Sequence, residues 1–579
     1  MGKSDKAHPL SFWCILSRYL IANIMACDNA HEREWGDPMG ELNDLLVAFT
    51  GTIDDFMYTY ILVILLVATG VWFTIRTRFV QIRYIKDMFT NLVGKSVAAD
   101  TEFSDDVANS VDTGKLPKAP GAANEHGSTA YADVSKPKKQ RRISSFQALM
   151  VSTASRVGTG NIVGIATAIA IGGPGAVFWM WLMAIIGAAS AFVESTLAQI
   201  WKVRNPDGTF RGGPAYYIQL ALGKRWLGIV FAVALILCFG LGFNGLQTYN
   251  MASAIDYYVI EGHETVVNAI IGLFVVVAVA VVIFGGIHRI SIITSWIVPI
   301  MAGAYILIAI WTCVSNLGDV PAALGLVFGQ AFDFTSLAGG FTGSMIMWGI
   351  KRGLFSNEAG MGSAPNAAAT ADVSHPVKQG LVQSLSVYID TLVICTCSAL
   401  MMLIFCVQQP DTVAALVASD SFNGIDFVQM AMANSIGPIG IHFMTACIIL
   451  FAFSSLVGNY FYAEGNILFI KDNKTVLLVF RLFCLAAIFF GAVNNFSLAW
   501  NLADIFMGFM AIINLIAILL LGKWAIKALD DYTAQRKQGV NPVFCAQSIP
   551  GIPKTMWWTQ DTTCTCEPDD SGGGVQVVE

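Results

Sequence analysis

Two stretches of this chain combine glycine with hydroxyl and amide side chains inside apolar surroundings: Ser155-Arg156-Val157-Gly158-Thr159-Gly160-Asn161 and Leu337-Ala338-Gly339-Gly340-Phe341-Thr342-Gly343-Ser344. Glycine at this density weakens a helix, and a broken helix leaves amides and carbonyls without intrahelical partners. The amides of Thr159, Gly160 and Asn161 would open a new half-helix, where unpaired donors and the helix dipole favour a carboxylate. Unwound carbonyls, that of Val157 among them, suit an alkali cation or an ammonium group. Gly158 belongs to the same surface, and Phe341 and Thr342 are what the second cluster would contribute. The competing use of these glycines is close packing, because small-xxx-small patterns are common between membrane helices.

Other polar residues also fall within apolar runs, where burial is costly unless they are paired or hydrated. Asn244 and Gln247 share a helix face at i, i+3 spacing, and Ser454, Ser455 and Asn459 lie together further on. Their oxygens are hard ligands of the kind an alkali cation accepts, on the logic that governs calcium and magnesium sites. Ser454 and Ser455 are therefore candidate cation ligands with Val157, while Asn244, Gln247, Ser455 and Asn459 would line a small-molecule site. The same groups could instead cross-link helices. Among acidic residues, Glu194 and Asp504 lie towards the ends of their runs and read as paired or hydrated. Asp390 sits deeper and could bind an ion, relay a proton or lock helices together.

The elements that must position these residues are membrane helices. Of 579 residues, 55% are hydrophobic and only 13% charged, against roughly a quarter charged in a soluble domain. Apolar windows place spans near 57–76, 146–172, 175–202, 226–254, 266–285, 292–314, 337–356, 381–408, 438–466, 476–494 and 500–523. That makes about eleven helices. Basic residues gather in alternate connections: Arg76 to Lys86 and Lys138 to Arg142, then Lys202 to Arg225, Arg289, and Lys351 to Lys378. The intervening connections carry Asp256, Glu261, Glu264, Asp319, Asp333, Asp411, Asp420 and Asp426 instead. By the positive-inside rule the amino terminus is outside and the carboxyl terminus cytoplasmic.

The first glycine cluster interrupts the second span and the other opens the seventh, five helices later. Five-helix separation puts the two spans in opposite orientations, as an inverted repeat of five plus five helices requires, and paired broken helices point to a binding site at the membrane midplane. The chain therefore divides into an extracytoplasmic extension (1–50), one extra helix (51–80), a cytoplasmic loop (81–145), a ten-helix core (146–525) and a cytoplasmic tail (526–579). The apolar run Leu10 to Cys27, broken by Arg18, reads as an amphipathic helix on the outer leaflet or a poor signal peptide. Residues 100–137 read as disordered.

Several function classes are excluded or disfavoured. A net charge of -6 and the lack of a basic face argue against nucleic acid. Neither His-Glu-x-x-His nor Gly-x-Ser-x-Gly occurs, which disfavours an embedded enzyme. A channel would need a repeated filter around an axis. Most cysteines lie in apolar segments as small hydrophobes, and Cys564-x-Cys566 lacks the second pair a metal site needs, so neither a metal centre nor an organic cofactor is expected.

Three further motifs carry a family likeness: Gly173-Pro174-Gly175-Ala176-Val177-Phe178-Trp179-Met180-Trp181, preceded by Val157 to Ile162; Lys351-Arg352-Gly353-Leu354-Phe355-Ser356-Asn357-Glu358-Ala359-Gly360-Met361-Gly362-Ser363; and His375-Pro376-Val377-Lys378-Gln379-Gly380-Leu381. With them the chain resembles the alanine or glycine:cation symporter family, also called sodium:alanine symporters, from about Asp54 to Leu529. The resemblance implies a fold of the leucine-transporter type with one extra helix ahead of the two repeats. It also implies a bacterial inner-membrane location, sodium as coupling ion and a neutral amino acid (alanine, glycine, serine or glutamine) as cargo; proton coupling is the alternative. Gly158 to Asn161 and Gln247 would contact that cargo. Where many members carry Trp after Gly in the ninth span, this chain has Gly458-Asn459-Tyr460, so Asn459 leaves volume for a larger or more polar side chain.

Overall fold

The computed structural model describes residues 38–92, 142–205, 207–260, 262–332, 345–419, 422–493 and 496–558. The apolar run at 10–27, most of the 81–145 loop, Phe341, Thr342, Cys564 and Cys566 lie outside these residues. Among the described residues, nine helices are long and apolar enough to cross a membrane, and one bent pair makes a tenth. In chain order the helices are α1 (Leu45–Arg76), the bent pair α2 (Ser145–Arg156) and α3 (Val163–Gly172), α4 (Ala176–Ile200), α5 (Arg225–Tyr258), α6 (Glu264–Ile283) and α7 (Gly286–Ser315). They continue with α8 (Met345–Asn357), α9 (Pro376–Gln408), α10 (Ile439–Ile470), α11 (Lys474–Val493) and α12 (Phe496–Lys537). Helix α8 occupies the place of the remaining expected span, and the residues before it, 333–344, are not among those described. Val203–Arg204 and Phe210–Arg211 pair as a short antiparallel ribbon after α4.

Local chemistry explains where several helices begin and cross. Ser144 caps α2 in a reciprocal box, its Oγ accepting from Gln147 N at 3.2 Å while Gln147 Oε1 accepts from Ser144 N at 3.0 Å. Helix α9 lies so close to α4 that a Cβ on Gly380 would stand 2.9 Å from the Phe192 carbonyl oxygen. Helices α5 and α9 each widen to a π-helical stretch, Ile236–Phe243 and Tyr388–Cys395. Such stretches are rare and cluster at functional sites. The first directly precedes Asn244 and Gln247, and the second contains Asp390.

Helix α1 begins well before residue 57, where the apolar window was expected to open. The window closed on Asp54 and Asp55, yet Asp54 is buried and pairs with Lys351 of α8. The same Lys351 Nζ reaches Asp504 of α12 at 2.8 Å, and Arg352 Nη2 stands 3.7 Å from that carboxylate. A neutralised carboxylate can extend an apolar helix, which hydropathy alone does not register. The edge residue Asp504 is thus paired, as expected.

Helix α12 runs on to Lys537, and the chain then folds back over the end of α4. Phe544 N donates to Ser374 O at 2.9 Å, and Trp558 Nε1 donates to Gln199 O at 2.8 Å. Lys202 lies 4.1 Å from the Phe210 ring centre and 4.9 Å from that of Trp558.

Candidate functional site

Helix α2 ends at Arg156 because Gly158 takes an extended backbone, φ -122° and ψ -161°. A single 3-10 turn, Thr159–Asn161, then leads into α3, whose axis is bent 64° from that of α2. Gly158, Thr159, Gly160 and Asn161 are all buried. The break stands where the sequence puts it, inside the second span.

Its amides are more occupied than expected. Thr159 N donates to Gln247 Oε1 at 3.0 Å, and Asn161 N donates to Gly158 O at 3.2 Å. Among the described residues only the Gly160 amide of the three makes no hydrogen bond. Space is also tight: a Cβ on Gly158 would overlap Ser455 Oγ and approach Gln247 Nε2 to 2.9 Å, and one on Gly160 would overlap the Phe355 ring.

Four helices hold the break by side chains, α8 among them through Ser356 Oγ, which accepts from Asn161 Nδ2 at 3.1 Å. From α5, Gln247 Oε1 also accepts from Thr159 Oγ1 at 2.9 Å, and Asn250 Nδ2 donates to the same hydroxyl at 2.7 Å. From α9, Asp390 Oδ1 accepts from Asn161 Nδ2 at 2.6 Å, and Ser398 Oγ donates to Asn161 O at 2.5 Å. Thr391 Oγ1 and Ser356 Oγ complete the donors to Asp390. Asp390 therefore ties three elements together at the break, the helix-locking role weighed for it.

From α10, Ser455 Oγ donates to the carbonyls of Ala154 at 3.0 Å and Ser155 at 3.3 Å, the last turn of α2. Ser454, the other candidate cation ligand, bonds instead to Phe451 O at 2.9 Å and Met301 Sδ at 3.5 Å. Val157 is buried at the end of α2, where the break begins. Asn459 Oδ1 accepts from Ser155 Oγ at 2.8 Å, and its Nδ2 donates to Asn244 Oδ1 at 3.2 Å. The Asn244 and Asn459 side chains thus meet each other beside the break.

The expected second cluster, 337–344, lies outside the described residues; among those described, irregular backbone meets the first break at 358–363, just past the end of α8. Gly360 and Gly362 both have φ +84°, a conformation glycine adopts without strain. Glu194 of α4 holds this segment, accepting from Gly360 N at 3.2 Å, Gly362 N at 3.1 Å and Asn514 Nδ2 at 2.7 Å. Its carboxylate is structurally paired, as expected of it. The two irregular stretches sit on the second and seventh spans, five apart, in the arrangement a five-plus-five inverted repeat requires.

Sequence reasoning missed Asn250, Arg156, Phe355, Ser356, Glu358 and Ser398. Asn250 was within reach, since it continues the Asn244 and Gln247 face by one more step of three. Phe355, Ser356 and Glu358 belong to a stretch whose spacing carries no local signal of contact with residue 160 or 161.

Comparison with known proteins shows the family. The sodium:alanine symporter family matches residues 43–111 and 125–546. The chain is 44% identical over 507 residues to the amino-acid carrier protein AlsT of Bacillus subtilis (strain 168), covering 88% of this chain and 96% of that one. It is 42% identical over 503 residues to the probable sodium/glutamine symporter GlnT of the same organism, covering 87% and 94%. With the sodium/alanine symporter AgcS of Methanococcus maripaludis it shares 34% over 498 residues, covering 85% and 98%. The crystal structure of MhsT in complex with L-phenylalanine superposes with a TM-score of 0.47 at 16% identity, covering 68% of this chain and 96% of that one. The chain belongs to the sodium:alanine symporter family and is a multi-pass membrane transporter, not an enzyme.

Proposed function

We propose that this protein carries a neutral amino acid inward together with sodium, by alternating access around the α2/α3 break. The observation that carries the reading is the convergence of Gln247, Asn250, Ser455 and Asp390 on one interrupted helix in the interior of a membrane bundle. The amino end of α3 and the Gly160 amide suit the substrate carboxylate. The carbonyls of Ala154, Ser155 and Val157 with the hydroxyls of Ser454 and Ser455 are the oxygen donors for sodium. Phe341 and Thr342 are proposed to close the pocket from the segment before α8.

The alternation of basic residues supports an amino terminus outside and a carboxyl terminus in the cytoplasm of a bacterial inner membrane. Inward transport then has a driving force: one sodium moving down about 100 mV gains about 2.3 kcal/mol, and a zwitterion adds no net charge. In proteoliposomes, an inward sodium gradient is expected to drive accumulation of labelled amino acid, and replacing sodium by choline at constant pH should abolish it. Equal uptake in choline would exclude sodium coupling.

For cargo, we propose a neutral side chain as large as that of glutamine, with alanine, glycine and serine also accepted. The support is Asn459, which is smaller than the Trp many members carry and whose polar ends are both taken by Ser155 and Asn244. Its contribution is therefore chiefly space. Asn459→Trp is expected to shift the preference between glutamine and alanine towards alanine by about tenfold or more. Competition of labelled alanine uptake by each amino acid measures this, and an unchanged ratio would remove Asn459 as the determinant of size.

A further inference from the structure

Arg156 and Glu358 are the last residue of α2 and the first residue beyond α8, so each stands where one of the two helices gives way to irregular backbone. Both are buried, and Arg156 Nε lies 3.8 Å from Glu358 Oε2. Glu358 lies within one of the motifs that carry the family likeness, but neither that likeness nor the proposed transport reading gives it or Arg156 a role. A charge pair this deep is retained at a cost, and its best-attested use is to specify one arrangement of the elements that carry it.

Three details show which arrangement. Glu358 has φ +53°, a left-handed backbone that is strained for a residue with a side chain. Its carboxylate is held from both sides, accepting from Ser155 Oγ at 3.1 Å and from Ser363 Oγ at 2.6 Å. Arg156, by contrast, meets Glu358 only at ion-pair distance, and its Nε, Nη1 and Nη2 make no hydrogen bond among the described residues. One partner is fixed and strained, and the other is loosely engaged. A pair without direct hydrogen bonds can change its geometry at less cost than a bidentate one.

Ser155 connects this pair to the rest of the site. Its hydroxyl bonds to Glu358 and to Asn459, while its carbonyl, with that of Ala154, accepts from Ser455. A cation bound by those carbonyls and by Ser455 Oγ would replace the Ser455 hydrogen bonds and bear on the last turn of α2. From there Glu358 is reached through the Ser155 hydroxyl and the Arg156 charge, and Glu358 begins the loop that continues to Gly360 and Gly362. Phe355 and Ser356, at the end of the same helix α8, touch Gly160 and Asn161.

We propose that the Arg156–Glu358 pair, acting through Ser155, transmits cation occupancy at the α10 side of α2 to the half-helix that binds substrate. Glu358 and Arg156 are positioning residues: they set how strongly sodium and substrate favour each other, not whether either binds. This rests on the reading of the protein as a sodium-coupled carrier. Coupling between two ligands is a factor by which each raises the other's affinity, and it is reciprocal.

The test is binding of labelled alanine and glutamine to the purified full-length protein in nanodiscs, with saturating sodium and with choline. In the unaltered protein sodium is expected to tighten binding by about fivefold to a hundredfold. In Glu358→Gln that factor should fall to about two or less, with affinity in choline within about twofold of the unaltered protein. Ser155→Ala, which removes one hydroxyl and leaves both charges, should lower the factor in the same direction and guards against misfolding of the charge variant. Arg156→Lys, which keeps the charge, should retain more of the factor than Arg156→Gln. A factor that stays at its original size in both Glu358→Gln and Ser155→Ala overturns the proposal. Absence of any sodium effect in the unaltered protein overturns the sodium reading itself.

Discussion

Gly160→Ala is expected to lower sodium-driven uptake by about a hundredfold or more while the protein still reaches the membrane. The added Cβ would fall inside the ring of Phe355. That ring has little freedom to retreat, because it packs against Phe243 with centroids 4.8 Å apart and lies 5.7 Å from the Arg352 guanidinium. Either the break moves away from α8 or Phe355 leaves its place. Overpacking of this kind costs about 1–3 kcal/mol, which a large bundle can absorb. A displacement of about 1 Å in a binding constellation, however, costs two orders of magnitude in function. Uptake per milligram of reconstituted protein checks this, with Phe355→Ala in the same chain expected to recover part of the loss. Undiminished uptake by Gly160→Ala would show that the contact of the break with α8 is not needed.

The second large effect is on stability. Lys351→Met is expected to destabilise the protein by about 3–5 kcal/mol, because it leaves two buried carboxylates without their shared cation. Asp54 and Asp504 come from α1 and α12, the first and last helices of the bundle, and Lys351 of α8 neutralises both. The ammonium also lies 4.6 Å from the centre of the Tyr58 ring. Arg352 remains near Asp504 in the variant, but Asp54 is left with nothing of opposite charge among its described contacts. Thermal unfolding in detergent measures the loss, and adding Asp54→Asn should return much of it by removing the orphaned charge. If Lys351→Met melted like the unaltered protein, the cluster would contribute nothing to holding α1 on the core.

These two residues also mark how far the sequence could be read. Gly160 was legible as part of a helix break because glycine and proline act on the backbone beside them, within a turn or two. Lys351 was legible only as a basic residue near a helix end, and it was counted as a marker of orientation. Its role as the centre of a buried ion cluster depends on Asp54, which lies 297 residues away in the chain. Asp390 follows the same pattern: a lone acid deep in a span must be paired or hydrated, but that it takes Asn161, 229 residues earlier, has no local trace. Leu337 to Ser344, the other glycine-dense cluster, lies outside the described residues. The described segment that meets the first break, 358–363, has only two glycines, and a carboxylate on α4 holds them in place.

By itself, the sequence determined that this protein lives in a bilayer, roughly how many helices cross it, that the second span is interrupted at Gly158 to Asn161, and which polar residues could not be left alone in a low-dielectric interior. Those are consequences of composition and of short-range backbone preference, which act along the chain. Tertiary structure decided which polar groups satisfy one another: Gln247 and Asn250 at Thr159, Asp390 and Ser398 at Asn161, Ser455 at the end of α2, and the Arg156–Glu358 pair between the two irregular stretches. The requirement for a partner follows from the cost of burying an unpaired dipole or charge, which any sequence displays. The choice of partner follows from how the helices cross, and that is set by the packing of the whole bundle.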